Sequence, residues 1–282
     1  MSNQIKLVAL DMDGTLFNNQ SQISKKDQDV IRSITASGVE VVISTGRPYV
    51  GLPLELLTSL GIRYAITTNA AGIYELPTRK CIHAEPMEAN LICPILSELL
   101  QKQIHMDVFI NGDAFSQVNV QKYVPDLVFP DSIKRYISST RTLKEDIVGY
   151  IRENHLDVEK VTLNFCPLDD GTFLDREAAK EILRKYPDVH FLTGGYHNLE
   201  FTKSGVTKGK GLRILAEKIG CTIEQTMACG DSQNDLDIIK TAGIGVAMGN
   251  ASEDIKKAAD FVSRTNEESG VAYAIEKFVR NL

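Results

Sequence analysis

Four short clusters in this chain have residue types and spacings that could do chemistry. Asp11-Met12-Asp13-Gly14-Thr15-Leu16 follows directly on an apolar run at 5–10. Two carboxylates spaced i, i+2 at the end of a buried strand can take different jobs. One can face a metal and act as a nucleophile; the other can work as an acid and then as a base. Gly14 lets the backbone turn sharply and approach a ligand closely. An acidic turn that merely closes a strand would use the same residues. Gly230-Asp231-Ser232-Gln233-Asn234-Asp235 follows a second apolar run at 226–229. Hard oxygen ligands there suit Mg²⁺, which binds through one or two carboxylates plus substrate phosphate and water. The plainer account is a polar turn in which Ser232 or Asn234 caps the next helix.

The other two clusters are weaker alone. Ser44-Thr45-Gly46-Arg47 follows the run at 39–43 and offers a hydroxyl, a small residue and free backbone N–H groups, which can hold phosphate oxygens. A turn ending in a surface arginine reads the same way. Gly205-Val206-Thr207-Lys208-Gly209-Lys210-Gly211 puts Lys208 at the start of a helix, where a cation opposes the macrodipole unless an anion lies near. A solvated lysine is the bland alternative, and Lys210 competes with Lys208 as a phosphate ligand. A Walker loop is excluded, because the glycine spacing is one residue short and Gly211 stands where Ser or Thr is required.

Elements that could bring these clusters together are legible around them. Residues 5–10, 39–43 and 64–68 read as strands separated by helices that open at Ser24 and at Leu54 and stop at Gly38 and Gly61. Such βαβαβ order implies an α/β fold with a doubly wound parallel sheet. Runs at 73–76 and 81–83 around Pro77-Thr78-Arg79 read as a hairpin. Then the alternation changes. Helices are expected over 92–100, 143–153 and 175–185. Strands are expected over 106–110, 116–120, 160–165 and 190–193, with Asn111-Gly112-Asp113 as a turn. From Lys208 the βα alternation returns. The expected organisation is a discontinuous α/β core, 1–84 and 196–282, with an inserted α+β domain over 85–195. Hinges are expected near 83–87 and 193–200, at Pro86 and Gly194-Gly195.

Composition narrows the function classes. The chain has 282 residues, long enough to bury a core without staples, and 43% hydrophobic with 24% charged residues is a globular balance. A net charge of −6 argues against wholesale binding to nucleic acid or an anionic membrane. Five cysteines without a CxxC spacing imply free thiols in a reducing compartment. The short apolar stretch before Asp11 is no signal peptide, and no run approaches a membrane span. A cytoplasmic protein is expected, with a small-molecule partner and no nucleic acid or membrane, as a monomer or weak dimer. The five histidines form no HxxH or HxxxH pair, so surface or insert-core positions are expected; His197 is the one that could face a cleft.

Taken together, the clusters resemble the motifs of a haloacid dehalogenase-superfamily phosphatase of the Cof type, which carries the larger α/β cap. Asp11-Met12-Asp13-Gly14-Thr15-Leu16 matches the first motif, Thr45 the second, Lys208 the third, and Asp231 with Asn234 and Asp235 the fourth. The cap-sized insert falls between the second and third motifs. The resemblance covers the whole chain. It implies a phosphomonoester hydrolase in which Asp11 is the nucleophile and Asp13 the acid/base. Mg²⁺ would be held by Asp11, Asp231 and the backbone carbonyl of Asp13. Met12 (through its backbone), Thr45, Gly46, Lys208 and Asn234 would hold phosphate, with Asp235 and Ser232 in support. Cap closure would exclude water. The implied substrate is a small phosphorylated metabolite, a sugar phosphate or a cofactor or nucleotide phosphate. A phosphomutase would share the Asp11/Asp13 logic, and a non-catalytic sensor of a phosphorylated metabolite is a third reading.

Overall fold

The computed structural model describes residues 4–279. In chain order the elements are β1 Leu7–Leu10, α1 Lys25–Ala36, β2 Glu40–Ser44, α2 Leu54–Ser59, β3 Tyr64–Thr67, β4 Gly72–Glu75 and β5 Lys80–Ala84. Next come α3 Ala89–Leu99, β6 His105–Ile110, β7 Asp113–Gln117, α4 Asp131–Thr140, β8 Thr142–Lys144, α5 Ile147–Glu153, β9 Lys160–Asn164, α6 Arg176–Arg184, β10 Val189–Thr193 and β11 Leu199–Lys203. The chain finishes with α7 Lys208–Ile219, β12 Thr226–Gly230, α8 Leu236–Thr241, β13 Ile244–Ala247, α9 Glu253–Ala258, β14 Phe261–Val262 and α10 Gly270–Phe278.

Two compact units result: Met1–Arg47, Leu52–His83 and Val206–Leu282 form the first, Pro48–Gly51 and Ala84–Gly205 the second. The first holds one sheet in the order β14-β13-β12-β1-β2-β3-β4-β5. Every pair from β14 to β3 is parallel, and β4 returns antiparallel to β3. The inner strands are continuous apolar runs, as strands covered on both faces must be. Leu7 and Ala9 of β1 share a core with Val42, Ile66 and the α7 residues Leu212 and Leu215. Helix α1 starts where Ser24 accepts from the Asp27 amide, and Asp27 in turn accepts from the Ala272 amide of α10 at 2.7 Å.

The central strand β1 fixes the position of the chemistry. It pairs with β2 on one side and with β12 on the other, Leu10 beside both Ile43 and Cys229. The chain thus leaves β1 in opposite directions, and at such a switch point the loops at the carboxyl ends of the strands diverge and leave a crevice.

The second unit has a six-stranded sheet, β10-β11-β9-β6-β7-β8, with its own apolar core of α3, α5 and α6 against the sheet. It differs from the sequence reading in several places. Strand β11 pairs with β10 and β9, so the unit runs to Gly205 rather than 195, and Gly194-Gly195 lies inside a hairpin instead of at a hinge. The alternation Leu199, Phe201 against Glu200, Thr202 is the pattern that marks this strand. Residues 142–144 pair with β7 and are not helical, so α5 starts only where Asp146 caps it. The 3₁₀ stretch Val118–Asp126 takes the place of the strand end expected at 118–120, and helix α4 is an element the sequence reading did not include.

Candidate active site

The β1–β12 neighbourhood brings two distant acidic clusters into one place. The Asp11 amide donates to Cys229 O at 3.0 Å, and the Thr15 hydroxyl donates to Asp231 Oδ1 at 2.9 Å. Gly14 has φ +85°, and an added Cβ would collide with the Asp231 carboxylate. Only glycine meets both demands, the left-handed backbone and the close approach. One carboxylate oxygen from each of Asp11, Asp231 and Asp235 lies within 4.8 Å of the others.

Lys208 joins these groups. It is the first residue of α7, whose cap is the Thr207 side chain accepting from the Lys210 amide. Its Nζ donates to Asp11 Oδ1 at 2.6 Å and to Asp235 Oδ1 at 2.7 Å, and the residue is 1% exposed. Lys210, two residues further on, is exposed. Between the two lysines that the sequence left in competition, Lys208 is the one beside the carboxylates. Asp235 is the anchor of the second cluster. Its Oδ2 accepts from the amides of Asp231 and Ser232, both at 3.1 Å, while the exposed Ser232 completes a capping box with it.

The electrostatics follow from this crowding. Burial first, then the negative charges of Asp235 and Asp231, push the Asp11 carboxyl well above the usual carboxylate range, against the pull of Lys208. Burial and Asp235 push Asp231 up to about 6. Burial alone would lower the Lys208 ammonium; the carboxylates of Asp11 and Asp235 hold it above its ordinary value. Three carboxylates around one ammonium leave excess negative charge in a poorly solvated place. All-oxygen donors with that excess fit a hard divalent cation such as Mg²⁺.

The remaining predicted residues are placed as follows. Met12 is fully buried and Gly46 half-buried. Thr45 is buried, and its hydroxyl accepts from the Arg47 amide at 3.2 Å. Asn234 is held at both ends of its amide, donating to Asn69 Oδ1 at 3.2 Å and accepting from the Ser232 hydroxyl at 2.7 Å. The Asp13 side chain stands apart from the acidic group. It is 57% exposed, and Arg47 donates to both its oxygens, Nε at 2.8 Å and Nη2 at 2.5 Å.

Two participants escaped the sequence reading. Arg47 reads in the sequence as the end of a plain turn, yet it is the partner of Asp13. Asn69 belongs to Thr68-Asn69-Ala70, three consecutive non-glycine residues with positive φ just past β3. The Asn69 amide donates to Thr45 O, and its side chain meets Asn234, so this turn ties the second motif to the fourth. Polar residues at the carboxyl end of a third parallel strand were the available signal.

A model of the haloacid dehalogenase-like hydrolases matches residues 8–275. The chain belongs to that family. As a haloacid dehalogenase-like hydrolase it is an enzyme, and a phosphatase. It is 32% identical over 295 residues to phosphatase YwpJ of Bacillus subtilis, covering 96% of this chain and 99% of that one. It is 33% identical over 280 residues to the 5-amino-6-(5-phospho-D-ribitylamino)uracil phosphatase YcsE of the same organism, covering 98% and 96%. Its fold is similar to the solved structure of a haloacid dehalogenase-like hydrolase from Bacillus subtilis, with TM-score 0.81 and 30% identity over 96% of this chain and 99% of that one. The fold class read from the sequence is the observed one.

Proposed function

We propose that this hydrolase cleaves a small phosphomonoester, a sugar phosphate or a cofactor or nucleotide phosphate, through an aspartyl-phosphate, with Mg²⁺ as its cofactor and the cytoplasm as its place of work. The observation that carries the reading is the shared position of Lys208 between Asp11 and Asp235 with Asp231 alongside. It sets a carboxylate beside a fixed ammonium and an acidic group that suits a divalent cation, and the two positive charges together would receive a phosphate dianion.

In this reading an Asp11 carboxylate oxygen attacks phosphorus, and the bond from phosphorus to the ester oxygen breaks. Asp13 gives its proton to that departing oxygen. Water then attacks the phosphorus of the acylphosphate, Asp13 takes its proton, and the bond to Asp11 breaks to return the free carboxylate and inorganic phosphate. Lys208 offsets charge on Asp11 and the phosphoryl oxygens, and Asp235 keeps its ammonium aimed. Thr45, Gly46, Asn234 and the Met12 backbone hold the phosphoryl oxygens, and Ser232 braces Asp235. The carboxylates of Asp11 and Asp231 and the Asp13 backbone carbonyl would hold Mg²⁺. When bound, the ion would neutralise charge on nucleophile and phosphate. Positioning and charge stabilisation supply most of the acceleration such a slow reaction needs, since acid catalysis gives only about 10²–10⁴.

The test is Mg²⁺-dependent phosphate release from a panel of phosphorylated metabolites, with labelling of Asp11 by beryllofluoride. Release that is lost in Asp11→Asn together with the label is expected. Labelling that persists in Asp11→Asn sinks the nucleophile assignment. Phosphoryl transfer between two positions of a substrate without phosphate release would make the protein a mutase, and tight binding without turnover a sensor.

A further inference from the structure

Strand β3 ends in a turn that an ordinary backbone avoids. Thr68, Asn69 and Ala70 have φ of 49°, 58° and 81°. Residues other than glycine visit this left-handed region singly, and asparagine is the one of the three that tolerates it well. Threonine is branched at Cβ, and alanine has no side-chain hydrogen bond to offer in return. The turn is also sealed from water, with Thr68 0%, Asn69 5% and Ala70 5% exposed. Strain of this kind persists only where the surroundings fix it, and it gathers at functional sites.

Three of the four motif clusters meet it. The Thr68 amide donates to Arg47 O at 3.0 Å and the Asn69 amide to Thr45 O at 3.1 Å, so the turn lies along the backbone of the second cluster. Gly211 brings up the third. It stands three residues after Lys208 on the same side of α7, and a Cβ there would lie 2.7 Å from that of Ala70. Ala70 is thus the surface against which the first turn of α7 rests. The fourth arrives through Asn234, whose Nδ2 donates to Asn69 Oδ1 at 3.2 Å while its own oxygen accepts from the Ser232 hydroxyl at 2.7 Å. A side-chain amide nitrogen carries two hydrogens. With one given to Asn69 and the oxygen held by Ser232, the plane of the Asn234 amide is fixed, and its second N–H has a single direction left.

We propose that Asn69 is a positioning residue for phosphoryl transfer: its side-chain oxygen aims the second amide hydrogen of Asn234 at a phosphoryl oxygen, and its turn ties Thr45 and the start of α7 to the same anchor. The proposal rests on the phosphatase reading, in which Thr45 and Asn234 hold phosphate. Asn69 itself touches neither substrate nor metal. An untethered asparagine amide rotates among several orientations, and ordering it is charged against binding. Held at both ends, Asn234 is ordered before any ligand arrives. The strain of the turn is borne in the folded state instead.

The test is a double-mutant cycle on kcat/KM for p-nitrophenyl phosphate with Mg²⁺, using Asn69→Gly, Asn234→Ala and the pair. Glycine adopts the left-handed backbone freely, so Asn69→Gly removes the side chain and keeps the turn, its amide bond to Thr45 O included. Asn69→Gly should lower kcat/KM at least about tenfold, the scale of one hydrogen bond. Asn234→Ala should lower it at least as far. Adding Asn69→Gly to Asn234→Ala should change it less than about twofold, because Asn69 acts through Asn234. A merely structural role would lower both backgrounds alike, to about a hundredfold in the pair. That result overturns the assignment, and so does a kcat/KM for Asn69→Gly within about twofold of wild type. A second measurement needs neither a variant nor turnover. In the NMR spectrum of the wild type, inorganic phosphate with Mg²⁺ should shift mainly one of the two Asn234 side-chain amide protons, leaving the one given to Asn69 near its place. A shift of neither, or of both alike, overturns the proposal. If no phosphate is released from this ester or from the metabolite panel, the phosphatase reading fails, and this spectrum decides the positioning role by itself.

Discussion

Asp11 and Asp13 are two residues apart and live in opposite surroundings, one buried among like charges and the other exposed and paired with Arg47. Asp13 is the one proposed to move the proton, and acid–base catalysis is worth about 10²–10⁴. Asp13→Asn should therefore lower kcat by at least about 10² while Asp11 remains open to beryllofluoride; a kcat near wild type would remove Asp13 from proton transfer. Asp231 gives a pH prediction. Its carboxyl, pushed up to about 6, must be ionised to hold a cation, so acidification below that value protonates the ligand. The Mg²⁺ concentration for half-maximal activity should rise as pH falls through about 6. A requirement that is flat from pH 5 to 7 would reject Asp231 as a ligand. The convergence of Asp11, Lys208 and Asp231 is legible in the sequence because each stands in a short motif at the end of a strand or the start of a helix. Arg47 and Asn69 are not, because their partners, Asp13 and Asn234, are 34 and 165 residues away along the chain.

At the scale of elements, two turns hold the geometry. Thr207 caps α7 and so sets where Lys208 begins. Thr207→Ala should cost about 1 kcal/mol of stability, read as a lowered Tm, and should reduce kcat as well. A lowered Tm with kcat unchanged would mean that the cap does not position the lysine. Gly14→Ala combines positive φ with a clash against Asp231, so it should destabilise by more than about 1 kcal/mol and raise the Mg²⁺ requirement. The core elements were readable because hydrophobic runs, caps and glycine stops agreed with one another. Agreement failed in the second unit. Strand β11 is short and half polar, β8 is three residues long, and α4 has one buried side chain, so periodicity had little to register. The polar burial of β6 and β9 likewise defies a rule that reads buried strands from apolar residues.

At the scale of the whole molecule each unit has apolar core of its own, and the proposed phosphate and metal ligands all come from the first unit. Binding stabilises only what it binds, by about 2.7 kcal/mol at a hundredfold excess over Kd. Calorimetry should therefore resolve two transitions, with Mg²⁺ and a phosphate mimic raising only one of them. A single transition, or an equal rise in both, would show that the units unfold together. No helix among the described residues is long and apolar enough to cross a membrane.

The central position of β1 has a further consequence during synthesis on the ribosome. Its partner β2 emerges within a few dozen residues, but β12 is translated only after the entire second unit. Until then the strand that bears Asp11 has one bare edge, the kind of edge that recruits stray strands. The nascent chain meanwhile lacks both Lys208 and Asp231, so the charged cluster around Asp11 is completed only with the last third of the polypeptide.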